Sequence, residues 1–406
     1  MKTKNYFSII AFQFLSVWMF AQLSTTEELF VDSVMNANYN PNGPGAVILI
    51  AKAGKPVFRK AYGLASIELN VKNKPEYAFH IASVSKQVVS VCMLKLAAEG
   101  KLSLQDDIRK HLTGYNTHGR KITIEQILRH TAGIPNYTAK DDFLAKAPVA
   151  ISTEELKKSF MQDSLLFEPD SDYCYSNSNY LLAGLIIEKV SGRSLSEFLN
   201  EQIFKPCEMN NTFVGNDDSV FVNAVTGYSV GNNNRYTAST FMSWCYMYGC
   251  GGIISTVDDL LKFNNALLSG KIIKREWLEK AWQSYTLSNG TSINYGLGWG
   301  VGEFNGLKYL EHGGLDSGFS SDVAFFPAKQ LYMLILSNTD AGPWSFFATI
   351  ACKLNGVNVS QPAPVQPAVN ALKEYEGVYS FKATFTMLPM QRLITLENGH
   401  LYSKVK

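Results

Sequence analysis

The chain has 406 residues, of which 46% are hydrophobic, enough apolar surface for one large domain or two and too much for a disordered protein. Its 37 basic and 35 acidic side chains give a net charge of +2, and setting aside Lys2 and Lys4, which sit in a leader-like segment, leaves 35 of each sign. With no stripe of Lys or Arg, nothing points to nucleic acid or anionic lipid as a partner.

Lys2 and Lys4 precede a mostly apolar run over 7–20, and Ala21-Gln22 then leads into the polar stretch 24–28. This is the pattern of a cleaved secretory signal over 1–21, and it predicts a periplasmic or secreted protein, with an uncleaved anchor as the alternative. The run is shorter than the about 20 residues of an ordinary membrane span, so no stable span is expected after cleavage. Six cysteines, Cys92, Cys174, Cys207, Cys245, Cys250 and Cys352, lack zinc-ligand spacing and read mostly as small buried hydrophobes. An oxidising compartment would permit a disulfide, Cys245 with Cys250 or Cys207 being conceivable.

From the leader onward, 46–50, the turn Gly54-Lys55-Pro56 and 57–62 predict a two-stranded hairpin. Helical periodicity follows over 87–98, 124–128, 180–190, 195–203 and 258–268. A second hairpin is predicted from 322–326, Pro327-Ala328-Lys329-Gln330 and 331–336. The fold class is therefore α/β in the α+β sense: an antiparallel sheet assembled from both ends of a domain spanning 22–358, with helices around it and a mainly helical insertion. A Pro-rich linker over 359–370 and a short β-rich segment over 371–406 follow; the segment has too few strands to bury a core alone.

Ser83-Val84-Ser85-Lys86 sits where a loop gives way to the helix at 87–98. A serine hydroxyl needs a base to act as nucleophile at neutral pH, and a lysine three residues on lies on the same helix face. Burial and the positive helix end both favour the uncharged amine such a base requires. The alternative is a serine cap with a solvated lysine, since S-x-x-K is a common spelling; a second copy, Ser403 to Lys406, lies at the frayed C-terminus. Tyr175-Ser176-Asn177 precedes the helix at 180–190 and offers a phenol to relay a proton and an amide to hold a carbonyl; alone, it reads as a turn and cap. His312-Gly313-Gly314 supplies a titratable ring and two residues that let substrate approach the backbone; alone, it reads as a Gly-rich turn with an exposed histidine. Lys52-Ala53-Gly54 imitates this last element but falls in the first hairpin's turn.

In this order and at these separations the three motifs resemble the serine beta-lactamase and penicillin-binding protein superfamily, in its class C branch, which also holds DD-peptidases and the CubicO esterase-like group. Leu128 to Pro135, Cys250 to Thr256 and Tyr295 to Gly300 also look familial, and the resemblance runs from about Leu29 to about Leu354. It implies an all-helical lobe against the sheet with the site between them. It also implies that Ser83 attacks an acyl carbonyl, that Lys86 and Tyr175 share proton transfer, and that Asn177 holds a substrate amide. His312 would bind a substrate carboxylate or assist proton transfer, with Gly313 and Gly314 beside it, and the N–H groups of Ser83 and Leu315 would form the oxyanion hole. No metal or organic cofactor is implied.

The third motif carries His312 and Gly313 where class C beta-lactamases carry lysine and often Thr or Ser. Histidine is largely uncharged at neutral pH, which lowers the expectation of beta-lactamase activity and raises that of a peptidase or esterase acting on a small-molecule or peptide substrate, such as a cell-wall peptide. A beta-lactamase is the competing enzyme reading, and a silent penicillin-binding or sensor protein the reading from another class. No G-x-S-x-G elbow accompanies His130, which is expected to be structural; His80 is expected to pack, and Asp316 and Asp322 to solvate the third motif's loop.

Overall fold

The run Ala46-Val-Ile-Leu-Ile-Ala-Lys52 is apolar at nearly every position, which suits a strand buried on both faces rather than one alternating between core and water. In the structure, a computed structural model that describes residues 22–231, 235–304, 306–357 and the strand backbones at 377–381, 390–397 and 400–405, it is β1 (Ala46–Lys52) of a six-stranded sheet. The others are β2 (Lys55–Tyr62), β3 (Gly300–Phe304), β4 (Leu307–Asp316), β5 (Phe319–Phe326) and β6 (Leu331–Ser337). Their order is β3-β4-β5-β6-β1-β2, antiparallel throughout. The N-terminal hairpin thus completes a sheet begun by the C-terminal strands, as the two predicted hairpins require.

Side chains alternate across the strands, so the sheet carries two cores. Val47, Leu49, Leu334 and Leu336 face the helical lobe; Ala46, Ile48, Ile50, Met333 and Ile335 face α1 (Thr25–Asn38) and α6 (Trp344–Leu354) on the outer side. Ser24 and Glu27 form a capping box that starts α1 and satisfies donors the first turn would otherwise leave open. On the lobe side, α2 (Ser85–Ala98) packs on α4 (Asn177–Ser191), and α3 (Ile124–Arg129) packs on α4. α5 (Val257–Leu268) returns to the sheet. α2 is buried on every side, the polar residues Ser85, Lys86, Gln87 and Ser90 included, as a helix enclosed between a sheet and a lobe must be.

Two expectations change. His312-Gly313-Gly314 is no turn but the middle of β4, and β3, β4, α1 and α6 are elements that the sequence did not announce. All six cysteines are free, so the conceivable disulfides are not formed. The β-rich segment expected after the linker has three antiparallel strands, Gly377–Phe381, Met390–Glu397 and His400–Val405. The leader and the Pro-rich linker lie outside the described residues. Among the described residues no helix is long and apolar enough to cross a membrane.

Candidate active site

The chain enters the site through a strained turn. Ala82 has φ +43°, and Ser83 follows it in a single 3-10 turn, Ala82–Val84, that feeds α2. Such a conformation is costly for a residue with a Cβ and persists only where surroundings enforce it. Here the Ser321 hydroxyl donates to the Ile81 carbonyl at 2.9 Å, and Gly314 of β4 lies against the same turn. A Cβ on Gly314 would come within 2.5 Å of the Ile81 oxygen and 2.3 Å of Ser321 Oγ, so the second glycine of the third motif is what lets β4 approach the nucleophile's turn.

Lys86 lies in the first turn of α2 and is fully buried. Its Nζ is 2.9 Å from Ser83 Oγ, 2.9 Å from Asn177 Oδ1 and 2.7 Å from the Cys250 carbonyl. Burial pushes its pKa down to about 8, because the charged form loses its hydration. The two neighbours other than the serine are acceptors only, so an uncharged amine places its two N–H bonds on Asn177 and Cys250 and turns its lone pair to the Ser83 hydroxyl. At pH 7 that uncharged form is roughly a tenth of the total, given a pKa near 8.

Tyr175 closes the other side. Its ring centroid is 4.9 Å from Lys86 Nζ, and its phenol lies close enough to the Ser83 side chain to interact with it. Burial holds its pKa well above the ordinary 10, so it is a neutral phenol able to relay a proton, and the amine is the better base. Asn177 opens α4 with its Oδ1 on the lysine and its Nδ2 donating to Thr138 Oγ1 at 3.2 Å. The three motifs are therefore brought together, with the phenol beside both amine and alcohol.

His312 is 1% exposed, not an exposed loop side chain. Its Nδ1 lies 2.7 Å from the Gly313 carbonyl, which can only accept, so Nδ1 carries the hydrogen and Nε2 accepts from the Tyr295 hydroxyl at 2.9 Å. Burial, with the Lys86 charge adding, pushes its pKa down to about 3. A neutral ring with that tautomer offers no charge to a carboxylate, so of the two roles the resemblance implies, carboxylate binding does not fit this geometry. Gly313, Gly314 and Leu315 line the crevice with Ser83, Tyr175, His312 and Trp344. β3 pairs with β4 only as far as Glu311, so from His312 onward that edge of β4 is free of β3, and Leu315 lies on this stretch at the crevice.

The supporting residues were partly legible. His130 caps α3 at φ +61°; its Nδ1 accepts from the Ser176 amide at 3.1 Å and its ring lies 4.3 Å from that of Tyr175. It holds the Tyr175 loop, the structural role expected of it. His80 packs as expected, stacked on Phe319 at 4.0 Å. It also meets Asp316 at 3.1 Å, so Asp316 does not solvate a loop; nor does Asp322, only 5% exposed. Tyr295, Trp344 and the Cys250 carbonyl went unassigned. Only the Gly-rich run after Cys250 and the Tyr295-Gly296 stretch hinted at them, and a backbone acceptor has no spelling in sequence.

The Beta-lactamase family profile matches residues 32–351. Protein flp of Staphylococcus aureus is 28% identical over 309 residues, 73% of this chain and 60% of that protein, so the chain spans about 60% of the length of these relatives. Penicillin-binding protein 4* of Bacillus subtilis is 26% identical over 381 residues, 88% of this chain and 83% of that one. Among solved structures, an octameric penicillin-binding protein homologue from Pyrococcus abyssi superposes with a TM-score of 0.73 at 25% identity, covering 94% of this chain and 89% of its own. A D-stereospecific amidohydrolase from Streptomyces does so with a TM-score of 0.69 at 26% identity, covering 80% and 98%. With these folds and a matched region that takes in all three motifs, the chain belongs to the Beta-lactamase family.

Proposed function

We propose that this protein is an exported serine hydrolase that cleaves an amide or ester through an acyl-enzyme on Ser83, its substrate a D-amino-acid peptide or a related small ester. The observation that carries the reading is the Lys86 amine 2.9 Å from Ser83 Oγ with acceptors at its two other contacts. The uncharged amine takes the Ser83 proton as Oγ attacks the acyl carbonyl. The N–H groups of Ser83 and Leu315 stabilise the oxyanion. The Tyr175 phenol passes the proton to the departing amine or alcohol, and water then releases the acyl group from Ser83 by the reverse relay. Asn177 holds the substrate amide, and neutral His312 keeps Tyr295 and the β4 edge in place beside the relay.

D-configured substrates are favoured by the likeness to a D-stereospecific amidohydrolase, and the uncharged His312 argues against dependence on an antibiotic carboxylate. Export rests on the leader-like segment 1–21. Incubation with D-alanine and D-phenylalanine p-nitroanilides and esters, followed by intact-mass analysis, should show turnover and an acyl adduct on Ser83, absent in Ser83→Ala. Equal turnover by Ser83→Ala would reject the reading. Faster hydrolysis of a chromogenic cephalosporin than of any D-amino-acid substrate would instead identify a beta-lactamase.

A further inference from the structure

On the face away from Ser83, α6 packs on the outer core through Phe347, Ile350 and Ala351 but leaves a gap over β4 and the facing part of β5. A cavity of about 480 Å³ lies between helix and sheet, well within the range that accepts small molecules. Its floor is the outer face of β4 and β5, Leu307, Tyr309, Glu311 and Asp322 among others, and its roof is α6 from Trp344 to Cys352. We propose that this cavity is a second binding site, for a small apolar ligand that carries one positively charged nitrogen.

The apolar part of the ligand is dictated by the walls, where Phe304, Phe326 and Phe347 contribute rings. The charge is dictated by the floor. Gly313 pairs with Asp322 across the two strands, which sets the Glu311 carboxyl diagonally beside the Asp322 carboxyl, both on the cavity side. Among the described residues no Lys, Arg or His charge acts on either; Asp322 has the neighbouring Val323 amide, and Glu311 has burial alone. Burial pushes the Glu311 pKa up to about 7 and holds Asp322 well above the usual carboxylate range, with the Glu311 charge adding to the latter. The other titratable groups facing them, Tyr309 and Cys352, are also raised by burial and supply no positive charge. Two acids enclosed by rings and aliphatic carbons are costly to ionise alone, and an ammonium supplies what they lack, a counter-charge with charge-assisted hydrogen bonds.

The cavity adjoins the crevice. Gly313 and Trp344 line both spaces, and the Trp344 indole N–H, buried without an acceptor among the described residues, stands at their boundary. The proposal does not rest on the acyl chemistry at Ser83.

Titration calorimetry of the full chain with octylamine and with 1-octanol at pH 8 tests it. Octylamine is expected to bind at least tenfold more tightly than octanol. The preference is expected to vanish in Glu311→Gln combined with Asp322→Asn, octanol affinity being kept. Should that pair fail to fold, Glu311→Gln alone should still reduce the preference severalfold. Ala348→Phe, which puts a ring into the cavity from α6, should weaken both ligands about tenfold, and Ser83→Ala should bind like the native chain. Equal affinity for amine and alcohol, a preference that survives the carboxyl substitutions, or no binding of either ligand would overturn it.

Discussion

The two faces of β4 put the same kind of residue to opposite uses. On the crevice face His312 is buried with both ring nitrogens engaged, and Gly314 brings the strand against the turn that holds Ser83. One residue away, on the outer face, Glu311 is half-buried at the cavity floor with no cation beside it among the described residues, and Gly313 abuts the edge of Trp344. Buried polar groups are tolerable when each has its partner. His312 and Lys86 meet that condition with protein atoms, whereas Glu311 and Asp322 have no ion-pair partner among the described residues, which is why the first face reads as a reaction site and the second as a place for something to bind.

The largest effect that separates the faces is on catalysis. Lys86→Met removes the base and leaves the crevice's shape nearly intact, and acylation of Ser83, followed by intact mass, should slow by about 10³-fold or more. No substitution on the outer face should approach that. If Glu311→Gln slowed acylation as much, the division drawn here between the two faces would be wrong.

Next comes stability against pH, where the two faces of β4 pull in opposite directions. Between its ordinary 4.5 and about 7, folded Glu311 keeps a proton that the unfolded chain has released. Glu311 therefore contributes a loss of stability as pH rises through that window, whereas buried His312, pushed down to about 3, contributes a gain up to its ordinary 6.5. Glu311→Gln should gain on the native chain from pH 4 to pH 8 by on the order of 3 kcal/mol, read from denaturant melts at each pH. A gap of constant size would mean that the carboxyl is solvated.

Smaller still is the contrast between the two glycines. Gly314→Ala must fit a methyl 2.3 Å from Ser321 Oγ and 2.5 Å from the Ile81 oxygen, and forcing it in should cost about 1–3 kcal/mol and slow acylation. Gly313→Ala meets the Trp344 ring nitrogen at 2.8 Å, a side chain bordering a cavity and able to turn, so its cost should stay below about 1 kcal/mol. Thermal melts and acylation rates of the two variants, measured side by side, check the order.

How much of this was written in the sequence follows from the same physics. β1 and β6 announced themselves because a strand buried on both faces is an unbroken apolar run. The helix after Ser83 and the one after Tyr175 were visible through their apolar length. β4 was not, because Leu-Lys-Tyr-Leu-Glu-His-Gly-Gly-Leu-Asp has no β-branched residue and two glycines in a row, a composition that reads as a turn. The neighbours of Ser83 were legible as motifs, but the acceptor at the Cys250 carbonyl belongs to the backbone and depends on register. The cavity depends on where α6 lands on the sheet, a long-range packing outcome to which no local spacing refers.

The finest test asks which group sets the pH dependence of the reaction. If the uncharged Lys86 amine is the base, kcat/KM for a neutral ester should climb about tenfold per pH unit below about 8 and level off above it, since the pKa of the free protein's base sets that limb and burial places it at about 8. His312, pushed down to about 3, stays neutral across the whole range and should add no limb near its ordinary 6.5. Tyr175, held well above 10, should add none below pH 9. A limb near 6.5 that disappears in His312→Gln would instead make the histidine the titrating group. The Tyr295–His312 contact would then be a catalytic one, and the crevice face of β4 would be doing chemistry as well as holding Ser83 in place.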